Sequence, residues 1–358
     1  GIRDVERSRG LGDVYKRQDM DMTQLGFFDL KYRLDKIDKN GDPLKKLNIV
    51  IDWERFRPEL EALRLKERKS NAGRKPFDTV MMFKILILQS LYNLSDDALE
   101  MQILDRLSFM RFLGLSIGQA VPDATTIWKF REMLTTAGIV KDLFKKFDAY
   151  LHANGFQAMK GQIIDASIVS APRQRNSREE NKQIKEGQPP QDWSKNKQSQ
   201  KDTDARWTRK NGKNFFGYKN HVNVDVKNKL IRDYKVTSAS VHDSNVFEEL
   251  LDYHNTSRAV WADSAYRSGE KLEFLKEHGF REHLQRKGCR NKKLTEREKQ
   301  GNRTRSKIRS RIEHIFGVQA QKAGNLILRT IGIARARAKT GLRNLAYNMD
   351  RYSMLATA

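Results

Sequence analysis

The tightest constraint lies near the middle of the chain, in Gly161-Gln162-Ile163-Ile164-Asp165-Ala166-Ser167. Two β-branched residues, a carboxylate and then small residues read as a buried strand that sets one charge at the edge of a core. A carboxylate in such a place is costly unless it is paired or holds a metal. The rest of the sequence must therefore supply its partners. The spacing of apolar residues is helical before this stretch and strand-like after it, so two kinds of architecture meet here.

Downstream, Val222, Val224 and Val226 alternate with His221, Asn223 and Asp225, the pattern of a half-buried strand. Lys227-Asn228-Lys229 can turn the chain, and Leu230 to Thr237 returns as a second strand. Asp243 or Ser244 is expected to cap a helix bearing Phe247, Leu250 and Leu251. Ala259 to Asp263 reads as a short strand, Ser268 to His278 as a helix stopped by Gly279, and Phe280 to Gln285 as a weaker strand. A last helix carries Ile308, Ile312, Ile315 and Phe316 at core spacing. Three strands in hairpin-like series followed by α/β units predict an RNase H-like α/β domain over residues 156–358.

Upstream, residues 76–155 predict an all-α unit for DNA binding or dimerisation. Asp78 starts a helix that is apolar nearly all round from Val80 to Leu94, and Ser95 and Pro122-Asp123 open two more. Short helices with tight turns suit a helix-turn-helix unit, and suit a supporting bundle equally well. Residues 19–75 form an arm and linker. The segment Gly10-Leu11-Gly12-Asp13-Val14-Tyr15-Lys16-Arg17-Gln18 resembles the translation of a tagmentation adapter. Residues 1–18 are accordingly expected to be read-through from a sequencing-library end, with the true start near Met20 or Met22.

Charge narrows the partners. The 358 residues carry a formal +24, and +22 remains without residues 1–18, which hold five basic and three acidic residues. Such an excess favours a polyanion, nucleic acid before anionic membrane. The apolar runs are far shorter than a bilayer span, and the first residues are charged. The single cysteine, Cys289, excludes an internal disulfide and an all-cysteine zinc site and fits a reducing cytoplasm. Two basic stretches stand out. Residues 172–214 are an aperiodic insertion that includes Trp193 and Trp207. Trp193, among prolines and glutamines, reads as a loop tip, whereas Trp207 beside Arg206 and Arg209 suits base stacking. Residues 281–311 hold thirteen basic against three acidic residues. Arg335, Arg337, Lys339 and Arg343 form a last cationic stripe, for phosphate or for solvent.

Three acids fall where this fold would bring them together. Asp165 is on the first strand, Asp263 ends the short strand expected beside it, and Glu313 borders the apolar stripe of the last helix. Hard divalent ions need only a few converging carboxylates, and two such ions can stabilise the attacking and leaving oxygens of a phosphodiester. Taken singly, an aspartate at a strand end serves as readily as a cap; order and charge set these three apart. His221, His242 and His314 lack zinc-site spacing, and His221 and His242 are placed at the site rim, with Asp243 as a helix cap.

Three blocks carry a family likeness: Gly161-Gln162-Ile163-Ile164-Asp165, Trp261-Ala262-Asp263-Ser264-Ala265-Tyr266 and Arg309-Ser310-Arg311-Ile312-Glu313-His314-Ile315-Phe316-Gly317. Gly73-Arg74-Lys75-Pro76-Phe77, Pro122-Asp123-Ala124-Thr125-Thr126-Ile127-Trp128, Asp202-Thr203-Asp204-Ala205-Arg206-Trp207 and Gly217-Tyr218-Lys219-Asn220-His221 add to it. Over roughly residues 50–350 the chain resembles bacterial insertion-sequence DDE transposases, above all the group named after insertion sequence five. The resemblance implies cleavage at element ends with Mg²⁺ or Mn²⁺, two ions per site, then attack of a 3′-hydroxyl on target DNA. It assigns the metal to Asp165, Asp263 and Glu313. The candidate DNA contacts are Arg206, Trp207, Lys219, Lys322 and Arg309, and Arg309, one helical turn before Glu313, suits orienting that acid as well as holding a phosphate. It further implies a homodimer that synapses terminal inverted repeats in the cytoplasm, at the nucleoid. In the family's third block, Ser306 stands here for a tyrosine and Ala320 for a lysine, so the DNA contacts of those two positions are not carried over. A nuclease without strand transfer and an inactive DNA-binding relic are the rival readings.

Overall fold

The computed structural model describes residues 29–64, 75–188, 190–210, 212–289, 293–324 and 326–357. The segment assigned to an adapter, the linker residues 65–74 and the Gly73-Arg74 pair lie outside these.

Among the described residues, eight helices precede the sheet: α1 (Asp29–Lys39), α2 (Pro43–Val50), α3 (Arg57–Ala62), α4 (Thr79–Tyr92), α5 (Asp96–Asp105), α6 (Leu107–Leu113), α7 (Ala124–Ala137) and α8 (Val140–Ala153). Their starts follow local chemistry. The side chains of Asp78, Ser95 and Asp123 accept the orphan amides of Met81, Ala98 and Thr126. Helix α4 buries Val80, Met82, Phe83 and Ile85 to Leu88, as its all-round apolarity requires. Buried Arg131 on α7 grips Asp96 and Gln89 and locks three helices together.

The sheet contains β1 (Gln162–Ser170), β2 (Arg206–Lys210), β3 (Lys213–Asp225), β4 (Ile231–Ser238), β5 (Ala259–Trp261) and β6 (Arg281–Glu282). Strands β4, β3 and β1 are antiparallel neighbours, and β5 and β6 extend β1 in parallel. This is the RNase H-like order expected from the sequence, with β2 added to the start of β3. Gly161 admits β1 into this order. Its φ is 91°, and a Cβ would lie 2.6 Å from the Ala259 carbonyl and collide with the Trp261 ring.

Helix α11 (Gly269–Glu277) and turns near Val246 and Leu250 cover one face, burying Ile164, Val260, Ala262 and Tyr266. The other face, with Ile163, Val222 and Val224, packs on α12 (Glu296–Ala323) and α13 (Ile333–Ala356). A continuous core runs from that face into the N-terminal helices, because α13 touches β4 as well as α2, α4, α7 and α8.

Helix α13 corrects the reading of the C-terminal basic stripe. Arg335 pairs with Glu132, and Arg343 is buried with its guanidinium on the carbonyls of Gln319 and Gly324. Arg337 is exposed and Lys339 half-buried, so only part of the stripe turns into the core. Asn348 meets both the amide and the carbonyl of Ile231, at 2.9 and 2.7 Å, while Asn344 and Asn220 exchange amide bonds. Gly341 packs so closely on β4 and α8 that an added Cβ would lie 2.8 Å from Val140 and strike Tyr234.

Two further expectations change. Residues 243–251 form short 3-10 turns in place of a helix, capped by His242 in place of Asp243. The basic insertion is folded: α9 (Arg178–Lys185) and α10 (Lys195–Gln200) close over Ile184 and Trp193. Trp193 is buried, and its indole N–H donates to Glu180 at 2.7 Å, so it is no loop tip. Lys197, with help from the Ser177 amide and Trp193, draws the Glu180 carboxyl down to about 2.

Candidate active site

Strand alternation decides where Asp165 points. Ile164 faces the α11 side, so Ile163 and Asp165 face α12. Parallel pairing sets Ile163 opposite Trp261, and two residues beyond that pair come Asp165, within β1, and Asp263, past the end of β5. Asp263 lies just past β5 and accepts the Ala265 amide at 2.8 Å. Its closeness registers electrically. Burial is the main force raising the Asp165 carboxyl above the ordinary carboxylate range, and the charge of Asp263 adds to it; the Ala166 amide and Arg309 pull the other way.

Helix α12 completes the group. It is started by a capping box of Thr295 and Glu298 and held to the sheet by fully buried Ile312 and Ile315. That anchoring aims Arg309 and Glu313, one helical turn apart, at the strand ends. The Arg309 guanidinium donates to Asp165 Oδ2 at 3.0 Å and to Glu313 Oε1 at 3.3 Å. Asp165 Oδ1 accepts the Ala166 amide at 2.8 Å. The Glu313 side chain is 63% exposed, so the site opens to solvent on its side.

The donors are carboxylate oxygens, as a hard divalent cation requires. Among the described residues, however, no three His, Cys, Asp or Glu side chains stand close enough together to hold a metal ion. Between Asp165 and Glu313 the cation is the guanidinium of Arg309.

A model described as "Transposase DDE domain" matches residues 157–349, more than half of the chain. The chain belongs to the DDE transposases. A second model, "Transposase domain (DUF772)", matches residues 32–133 of this transposase. Among solved structures, a piggyBac transposase synaptic complex with hairpin DNA, studied by cryo-electron microscopy, aligns at a TM-score of 0.45 and 12% identity. That alignment covers 88% of this chain and 76% of the other. Members of the family generally use divalent metal ions.

The candidate DNA contacts of the transposase divide by geometry. Trp207 is 44% exposed, lies against Phe216 and carries Arg173 over its ring. Arg206 instead holds the insertion together, donating to the carbonyls of Thr203, Ala205 and Ile184. Lys219 also turns inward, to the Val241 carbonyl and Asp243 at 2.7 and 2.8 Å. The side chain of Lys322 lies outside the described residues. Ser306, at the tyrosine position, accepts from Gln285 at 2.6 Å, and the Gln285 amide donates to the Ala262 carbonyl. One glutamine thus ties α12 to the strand that leads into Asp263.

Sequence reading gave no role to Tyr266 or to the surroundings of His221. Tyr266 is buried and its hydroxyl has no hydrogen-bond partner among the described residues. Burial and the charges of Asp165, Asp243 and Asp263 push its phenol well above the usual range. His221 is buried too, bonded to Thr237 at 2.9 Å. Burial, against the pull of Asp243, lowers it to about 4, so it is neutral at pH 7. The sequence signals for this pair were strand alternation at His221, the family blocks that contain His221 and Tyr266, and the expected place of His221 at the site rim.

No helix among the described residues is long and apolar enough to cross a membrane.

Proposed function

We propose that this transposase hydrolyses DNA at the inverted-repeat ends of its own element and transfers the freed 3′-hydroxyl into target DNA. Asp165, Asp263 and Glu313 would hold Mg²⁺ or Mn²⁺, two ions per site. The observation that carries this reading is that Asp165 and Asp263 each follow the paired residues Ile163 and Trp261 by two, beside the helix that bears Glu313. When bound, the ions supply charge stabilisation for the attacking and leaving oxygens of the phosphodiester. The chain's own residues orient that chemistry. Gly161 lets β1 approach β5, Gln285 fixes α12 against the segment before Asp263, and Ile312 and Ile315 set the rotation of α12. In the structure as it stands, Arg309 bridges Glu313 and Asp165.

Trp207 on the exposed β2–β3 hairpin is our candidate for stacking on an unpaired base near the cut, with Arg209, Lys210 and Lys213 supplying phosphate contacts. The blocks quoted above favour the group named after insertion sequence five, with action at the nucleoid and a homodimer on paired ends.

The test is cleavage and joining on DNA carrying the element's own ends, with divalent metal present. Asp165→Asn, Asp263→Asn and Glu313→Gln are each expected to lower both steps by at least about a hundredfold, the scale of losing one preorganised electrostatic contact. Full activity in any of the three would remove that residue from the site. Cleaved ends that never join a target would mark a nuclease, and DNA binding with no metal-dependent product would mark a relic.

A further inference from the structure

Arg309 raises a question that the metal assignment leaves open. The Asp165 side chain is 14% exposed, and Asp263 follows the end of the strand paired with β1. Two neighbouring carboxylates that are partly withdrawn from water favour a nearby cation, because removing a partner from such a charge is destabilising. In this structure Arg309 meets that need. It reaches Asp165 Oδ2, the oxygen left over once Oδ1 has taken the Ala166 amide, and with its other terminal nitrogen it reaches Glu313. The Arg309 Nε is buried without a hydrogen-bond partner among the described residues. The end of the side chain is therefore held by the two acids, whose oxygens are the ones a metal would use. The path outward passes the exposed Glu313 side chain.

We propose that Arg309 is a built-in substitute cation. It occupies the position between Asp165 and Glu313 while the site is without metal, and a divalent ion binds these acids only when the guanidinium swings out. This rests on the metal reading of the site given under Proposed function. Its consequence is that free transposase binds divalent ions more weakly than its carboxylates alone would. Arg309 is then a positioning residue that couples metal entry to whatever draws it outward.

The experiment measures Mn²⁺ binding to the full chain without DNA, by the electron paramagnetic resonance signal of free Mn²⁺. Arg309→Gln is expected to bind Mn²⁺ roughly tenfold more tightly than wild type, the ratio expected if about a tenth of the molecules have the guanidinium out. Arg309→Lys, which keeps a charge but loses the two-pronged reach, should fall between them. Thermal unfolding gives a second readout. Without metal, Arg309→Gln should melt below wild type, and Mn²⁺ should raise its midpoint more than that of wild type. If folded Arg309→Gln and Arg309→Lys bind Mn²⁺ no more tightly than wild type, and Asp165→Asn abolishes binding in each, the exchange is refuted and the metal reading stands. If Asp165→Asn changes Mn²⁺ binding in none of them, the metal reading itself fails and the exchange falls with it.

Discussion

His221 shows how a single buried group sets a condition on the whole protein. Its ring is enclosed between β4 and the turn at Asp243, with Thr237 on one nitrogen and Asp243, Lys219 and Lys235 as the charges around it. Its folded-state value of about 4 lies below the 6.5 of an unburied histidine, so the unfolded chain binds the extra proton first. The stabilisation is full above about pH 6.5 and is lost as pH falls toward 4, about 3 kcal/mol in all. Asp165 has the opposite sign, because its raised value favours the folded state as acid is added. Urea denaturation at several pH values should show stability rising with pH across that window. The rise should shrink in His221→Gln; an unchanged slope would mean that His221 is not what titrates.

At the scale of elements, two predictions concern parts whose roles composition hides. Asn348 substitutes for a strand partner of Ile231, so Asn348→Ala strands a buried amide and a buried carbonyl. Loss of roughly 2–4 kcal/mol is expected by chemical denaturation, since each orphaned group costs about 1–3 kcal/mol. The insertion between β1 and β2 depends on Trp193 in the same way. Trp193→Ala removes one of the three partners of Glu180 and the ring beneath Lys197. Trypsin should then cut within residues 172–214 well before the sheet unfolds; cleavage at the wild-type rate would show that the insertion does not need its tryptophan. Helix caps at Asp78, Ser95 and Asp123 were legible because a cap is a local interaction. The insertion's fold was not, because a short helix held by one buried tryptophan has too few apolar residues to show a period.

For the whole molecule the dominant property is charge. With a formal +24, binding of any duplex should be driven largely by release of counterions. Affinity is expected to fall by about a thousandfold or more between roughly 50 and 200 mM salt. Trp207→Ala should weaken binding to DNA with an unpaired end by about 1–3 kcal/mol and leave the salt slope unchanged, because a stacking contact releases no ions. A changed slope would indicate that the hairpin acts through phosphates alone.

The sequence by itself determined the order of the five sheet strands besides β2, the family, and which acids to look for, because strand alternation and short motifs are written over neighbouring residues. Only the tertiary structure decided what surrounds them. It showed Arg309 between Asp165 and Glu313, Arg206 and Lys219 turned inward, and Arg343 of the basic C-terminal stripe buried on α13. A cationic side chain looks the same in sequence whether it faces a phosphate, a carbonyl or a carboxylate. What it meets depends on contacts between residues far apart in the chain, such as the 144 positions separating Asp165 from Arg309.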